Sequence, residues 1–188
     1  MHETSQRWKK ANPDKASFGT PGEGSFPHIL TLVLGKALGA PIQVVPYSGR
    51  GTGPINDVLA GQIAAFLVNE GGFLPFVKNN RVRVLATSGE TRSPFYPDVP
   101  TFAEQGVKEL IVSEWFGLFA PGATPPAILA HASEAIAKVL ADKQIAEAFA
   151  NFGLAPKANT PAELAALIKS DATIWGPTIR SMGFRPLD

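Results

Sequence analysis

Three times in its first half the chain runs from a short apolar stretch, through a turn, into a helix start, and this repetition constrains the fold more than any other feature. "ASFGT" (16–20) passes through a glycine turn into "FPHILTLVLGKAL" (26–38), with Pro27 in the first turn and Gly39 just past the end. "IQVVPYS" (42–48) passes through a second glycine turn into "PINDVLAGQ" (54–62), and "IAAFLVN" (63–69) leads to "GFLPFVKNN" (72–80), read as a short helix with an internal Pro75. "VRVLATS" (82–88) supplies a fourth strand. Alternating strands and helices of this kind predict βαβ units with a parallel sheet covered by helices. Strands that are apolar along their length, rather than alternating, agree with burial on both faces.

Beyond residue 88 the texture changes. "SGETRSPFYPDVPTFAEQGV" (88–107) holds three prolines and little periodicity, which predicts a long connection with one short helix near 102–105. "LIVSEWFGLFAP" (110–121) reads as extended, and three helices follow at 125–142, 143–153 and 160–183. Thr160, Pro161 and Glu163 form a helix start with an N-cap, a proline at the first position and a carboxylate at the third. The apolar positions of these helices recur at helical spacing and need a surface to pack on, yet this half of the chain supplies too little sheet to cover. Dimerisation, an exchanged segment or a truncated chain would each resolve the mismatch.

Composition narrows the function. The 188 residues include no cysteine, which excludes disulfides, thiolate nucleophiles and cysteine-bound zinc. The formal charge is +1, with Lys and Arg scattered, so nothing favours nucleic acid as a partner. No apolar run approaches the roughly 20 residues of a membrane span, and "MHETSQRWKK" is not followed by the apolar segment of a signal peptide.

The turn "GTPGEGS" (19–25) resembles a phosphate loop but lacks its chemistry. No lysine follows Gly24, and the third glycine of a dinucleotide fingerprint would fall at Pro27. What remains is a glycine turn feeding a helix, which offers backbone N–H groups and the positive end of a helix dipole to an anion. Thr20 and Ser25 add hydroxyls; the plain alternative is a tight turn with a serine near a helix start. "YSGRGTGPIND" (47–57) repeats the arrangement after the next strand, with Ser48, Gly49, Arg50, Gly51 and Thr52. Arg50 is either a bidentate carboxylate clamp or a solvated loop arginine. Asn69 ends the third strand. All three loops are expected at the carboxyl edge of one sheet, where open α/β sheets bind ligands.

The constellation recognises without reacting. His28 and His131 lack a second histidine or cysteine nearby and read as surface or core-edge residues. Glu23 and Glu70 could form an acid–base pair, but nothing in the sequence places them together. No serine sits in a nucleophile-elbow context. Trp115 and Phe116 read either as core or as the wall or hinge of a cleft. No cofactor, no metal site and no enzymatic activity are expected.

The stretches "FGTPGEGSFPHI", "VPYSGRGTGPINDVLAGQI", "PFVKNNRVRVLATSGETRSPFYPDVPTFAEQG", "SEWFGLFAPGATPP" and "TPAELAALIKSDATIWGPTIRSMGF" follow one another in order. Together they resemble the extracytoplasmic solute receptors of tripartite tricarboxylate transporters, the Bug-type receptors, over nearly the whole chain. "RSPFYPDVPTFAEQG" followed by "WFGLFAP" is the most distinctive part. The resemblance implies a periplasmic-binding-protein-like α/β fold of two lobes that closes on a small organic acid (a di- or tricarboxylate, or an aromatic carboxylate) and delivers it to a membrane permease. It implies that 13–112 is a complete second lobe and 113–188 the returning part of the first, with the family's N-terminal portion and export signal absent.

By matching position, the resemblance places Thr20, Gly22, Gly24, Ser25, Ser48, Gly49, Arg50, Gly51, Thr52 and Asn69 at the ligand. Two positions depart from the family's pattern. Val68 stands where an Asp is common, and Glu23 puts a negative charge into an anion-holding loop. Both shift expectation toward an aromatic acid or a ligand with one carboxylate. A periplasmic receptor is therefore expected; the rival is a truncated, non-binding folding or dimerisation module that pairs through its incomplete lobe.

Overall fold

The computed structural model describes residues 16–39, 41–47, 53–79 and 81–183. The chain divides into two compact units, one ending at Glu114 and the other beginning at Trp115.

The first unit is built on a parallel three-stranded sheet. β1 (Ser17–Thr20) lies in the middle, flanked by β2 (Gln43–Pro46) and β3 (Ala65–Phe66). Ser17 pairs with Gln43 and Thr20 with Pro46 on one side; Phe18 pairs with Ala65 and Gly19 with Phe66 on the other. Gly19 is required at the centre of this sheet. A Cβ there would lie 2.6 Å from Phe66 Cδ2, 2.9 Å from Ile63 Cδ1 and 3.0 Å from Tyr47 Cε2.

Helix α1 (Phe26–Ala37) follows β1 and buries Pro27, His28, Ile29, Leu30, Thr31 and Leu34. Ser25 caps its start, and Gly39, at φ 61°, accepts the left-handed turn that ends it. Helix α2 (Gly53–Leu59) follows β2, and a 3-10 turn (Glu70–Gly72) with the short helix α3 (Leu74–Lys78) follows β3. Pro75 sits in the first turn of α3 rather than inside it, where its missing N–H costs nothing. The core joins Ala16, Ile29, Leu30, Leu34, Ile42, Ile55, Ile63, Tyr96, Val107 and Leu110.

The expected fourth strand does not form. Residues 83–86 have no regular structure, and pairing is reduced to one parallel bridge between Thr87 and Thr101. Thr87 N–H donates to Pro100 O at 3.2 Å and Phe102 N–H to Thr87 O at 2.8 Å. The facing segment holds Pro97 and Pro100, which have no N–H to donate, so a ladder cannot extend along it. The expected helix at 102–105 is a turn, and a 3-10 turn at Lys108–Leu110 follows and packs on α1.

Side chains hold the 88–107 connection together. Arg92 meets Glu104 through Nε at 3.0 Å and Nη2 at 2.9 Å, a bidentate pair. Glu104 also accepts from Thr101 N–H at 2.7 Å, while Thr101 Oγ1 accepts from Glu104 N–H at 3.1 Å. The motif that looked most distinctive in sequence is thus a self-bonded loop.

The second unit is helical: α4 (Pro126–Leu140), α5 (Lys143–Ala150) and α6 (Pro161–Ser181). Thr160 and Glu163 form the expected reciprocal capping box. Trp115 Nε1–H donates to Asp171 Oδ2 at 2.6 Å, and Gly117 leaves room for the Trp115 ring, which would lie 3.2 Å from a Cβ there. No described residue after Leu110 is buried. Phe116, Leu118 and Phe119 before α4 and Phe152 after α5 are 67%, 75%, 69% and 70% exposed, whereas Leu164, Leu167, Trp175 and Ile179 on α6 are half-buried, so the apolar face of α6 is only partly covered.

Candidate ligand-binding site

Parallel pairing aligns the carboxyl ends of all three strands. Tyr47 N–H donates to Thr20 O at 2.9 Å and Leu67 N–H to Gly19 O at 3.0 Å, so the loops after β1, β2 and β3 leave from one edge. Tyr47 OH donates to Asp57 Oδ2 at 2.6 Å, tying the end of β2 to α2. Burial pushes the Tyr47 hydroxyl up to about 12, and the Asp57 hydrogen bond and charge add to the shift. Ser48, Gly49, Arg50, Gly51 and Thr52 lie outside the described residues, between these two tied elements.

The loop after β1 is closed largely by its own groups. Ser25 Oγ donates to Gly22 O at 2.7 Å and accepts from His28 N–H at 3.3 Å. Ser25 N–H donates to Gly22 O at 3.3 Å. Gly24, held at φ 70°, donates its N–H to His28 Nδ1 at 3.0 Å. The donors on Gly24 and Ser25 that the sequence offered to an anion are therefore engaged inside the loop. Among the described residues, no hydrogen bond takes up the N–H of Gly22 or of Glu23. Thr20 is fully buried, and its hydroxyl has no hydrogen-bond partner there. Such an orphan in a folded protein calls for a water or a ligand atom to complete it.

At the end of β3, Asn69 is exposed and its Nδ2 donates to Glu114 Oε2 at 3.0 Å. Desolvation holds the Glu114 carboxyl above its ordinary range, outweighing the lowering effect of the Asn69 hydrogen bond. Sequence reasoning passed over Glu114: the partners are 45 residues apart, and no spacing rule links them. Val68 packs beside Gly72, its methyls 3.5 Å from where a Cβ there would be. Glu70 is engaged elsewhere. Its Oε2 accepts from Ser93 Oγ at 2.5 Å, and Tyr96 OH donates to its backbone carbonyl at 3.2 Å. Burial raises the Glu70 carboxyl too, against the opposing Ser93 hydrogen bond.

Glu23 is exposed on the first loop, and His131 is exposed on α4. Among the described residues no three His, Asp or Glu side chains are grouped as metal ligands. The arrangement offers hydrogen-bond donors and acceptors along one sheet edge.

A family model described as "Tripartite tricarboxylate transporter family receptor" matches residues 3–184. The chain belongs to this receptor family. The protein BugT of Bordetella pertussis is 34% identical over 174 residues, covering 93% of this chain and 53% of BugT. A solved chain titled "Structure of a periplasmic transporter" superposes with a TM-score of 0.84 at 31% identity, covering 99% of this chain and 61% of that one. MatC from Rhodopseudomonas palustris, solved with bound malate, gives a TM-score of 0.76 at 26% identity, covering 94% of this chain and 61% of its own. The α/β fold is that of the periplasmic binding proteins. The chain spans about half the length of BugT and about three fifths of these solved chains.

Proposed function

We propose that this chain is the carboxylate-capturing part of a periplasmic solute receptor that serves a tripartite tricarboxylate-type transporter. The observation that carries the reading is the alignment of the carboxyl ends of three parallel strands at one sheet edge. There, among the described residues, no hydrogen bond takes up the N–H groups of Gly22 and Glu23 in the loop before α1, and none reaches the Thr20 hydroxyl. Family membership and the malate bound by MatC support it. On this reading Thr20, Gly22, Gly24, Ser25, Asn69 and the loop 48–52 contact or shape the ligand site, with Gly24 and Ser25 acting by holding the loop rather than by donating. Residues 13–112 form a ligand-binding lobe and 113–188 part of another; the break after Glu114 supports that division. The ligand is a small organic acid, and no chemistry is performed on it.

Heteronuclear NMR titration of the 188-residue chain with citrate, malate and benzoate tests the reading. Shifts at Gly22 and Glu23 amides on adding an acid, weak because only part of a receptor is present, are the expected result. Absence of shifts with all three acids overturns it. Submicromolar affinity in a monomeric sample would overturn the expectation of weak binding.

The uncovered aromatic and aliphatic side chains of the second unit favour one other reading, a non-binding module that self-associates. Size-exclusion chromatography with light scattering separates the two. A monomer at tens of micromolar supports the receptor part, and an obligate dimer without acid binding supports the module.

A further inference from the structure

The contact between Asn69 and Glu114 bears on which acid the edge accepts, if the carboxylate-binding reading holds. Only the NH2 end of the Asn69 amide can bond an ionised carboxylate, so the 3.0 Å contact to Glu114 Oε2 fixes which way the amide faces. One N–H is consumed. Asn69 Oδ1 and Glu114 Oε1 accept no hydrogen bond among the described residues. This end of the edge is thus rich in acceptors and carries a carboxylate, whereas the β1 loop presents the N–H groups of Gly22 and Glu23. A second ligand carboxylate at the acceptor end would meet like charge and acceptors without protons. A hydroxyl or ammonium group there would find complementary partners.

We propose that Glu114 is a specificity-determining residue, selecting an acid with one carboxylate and, at its other end, a proton-donating hydroxyl or ammonium group over an unsubstituted dicarboxylate. Both Asn69 and Glu114 belong to the first unit and both are solvent-accessible, so the pair is available to a small molecule arriving at the edge.

The test uses the 188-residue chain and four five-carbon probes of matched length: pentanoate, 5-hydroxypentanoate, 5-aminopentanoate and glutarate, titrated at neutral pH by NMR. The parent chain is expected to bind 5-aminopentanoate about tenfold more tightly than glutarate, the size of one charge-assisted hydrogen bond at an accessible site. Glu114→Gln, which keeps the shape and an acceptor but removes the charge, should lower that ratio at least several-fold by weakening the amine and strengthening glutarate. Glu114→Ala should do the same, which guards against a misleading result from the glutamine amide. If glutarate binds the parent as tightly as 5-aminopentanoate, or if the ratio survives both substitutions, the specificity role is overturned while carboxylate binding stands. If no probe binds the parent, the carboxylate-binding reading fails as well.

Discussion

The ring nitrogen Nδ1 of His28, one turn into α1, accepts the N–H of Gly24 at 3.0 Å and so closes the loop that precedes its own helix. An accepting Nδ1 carries no proton, so the other nitrogen holds it in the neutral ring. His28 is also buried, and its loss would leave both a void and an unpaired N–H. His28→Ala should lower stability by about 2 kcal/mol, read by urea denaturation. An unchanged midpoint would show that the loop is held by Ser25 alone.

Gly22 and Gly24 separate the needs of backbone and ligand. A Cβ at either position meets nothing within 4 Å, but only Gly24 has a positive φ, of 70°. Gly24→Ala should therefore cost about 1–2 kcal/mol from the left-handed conformation alone. Gly22→Ala should leave the melting temperature unchanged, so any loss of acid binding in that variant reports close approach of the ligand to the backbone.

Glu23 carries a negative charge on the loop whose N–H groups at 22 and 23 no hydrogen bond takes up among the described residues. Glu23→Ala should tighten binding of a carboxylate by a few-fold at low ionic strength. The gain should shrink as salt approaches about 0.15 M, where screening acts over roughly 8 Å. A salt-independent gain would point to relief of a steric block instead.

Glu70 gives stability a pH dependence opposite in sign to that of a salt-bridged carboxylate. Burial raises its carboxyl in the folded state, which therefore holds the proton more tightly than the unfolded chain does. Its contribution is fully present below the unfolded carboxylate value, about 4.3, and is lost as pH rises through the raised folded value. Glu70→Gln keeps an acceptor for Ser93 Oγ without the charge. It should match the parent near pH 4 and melt at a higher temperature near pH 7. A variant that melts lower at neutral pH would show that the ionised form is the one the fold uses.

What could be read from the sequence was what short-range physics controls. Helix α1 was expected at 26–38 and spans Phe26–Ala37, and the Thr160–Glu163 capping box lies within a single turn. The fourth strand failed because pairing depends on a partner remote in sequence, and that partner carries Pro97 and Pro100. The donor count of the first loop was overestimated for a related reason. Gly24 and Ser25 look free as a string, but His28 folds back four residues to claim one of them and Gly22 O claims the other. Asn69 was legible as an amide at a strand end, whereas Glu114 beside it was not, since 45 residues of chain separate them.

Leu110 is the last enclosed side chain of the described residues. Backbone amides on either side of it should therefore exchange with deuterated solvent on separate timescales. Those of β1 and α1 open only with the loss of a packed interior, while those of α4, α5 and α6 are guarded by their own helical bonds and by side chains that are at most half-buried. The molecule would then lack a single unfolding free energy, and a melt followed at Trp115 would report a different event from one followed at Tyr47.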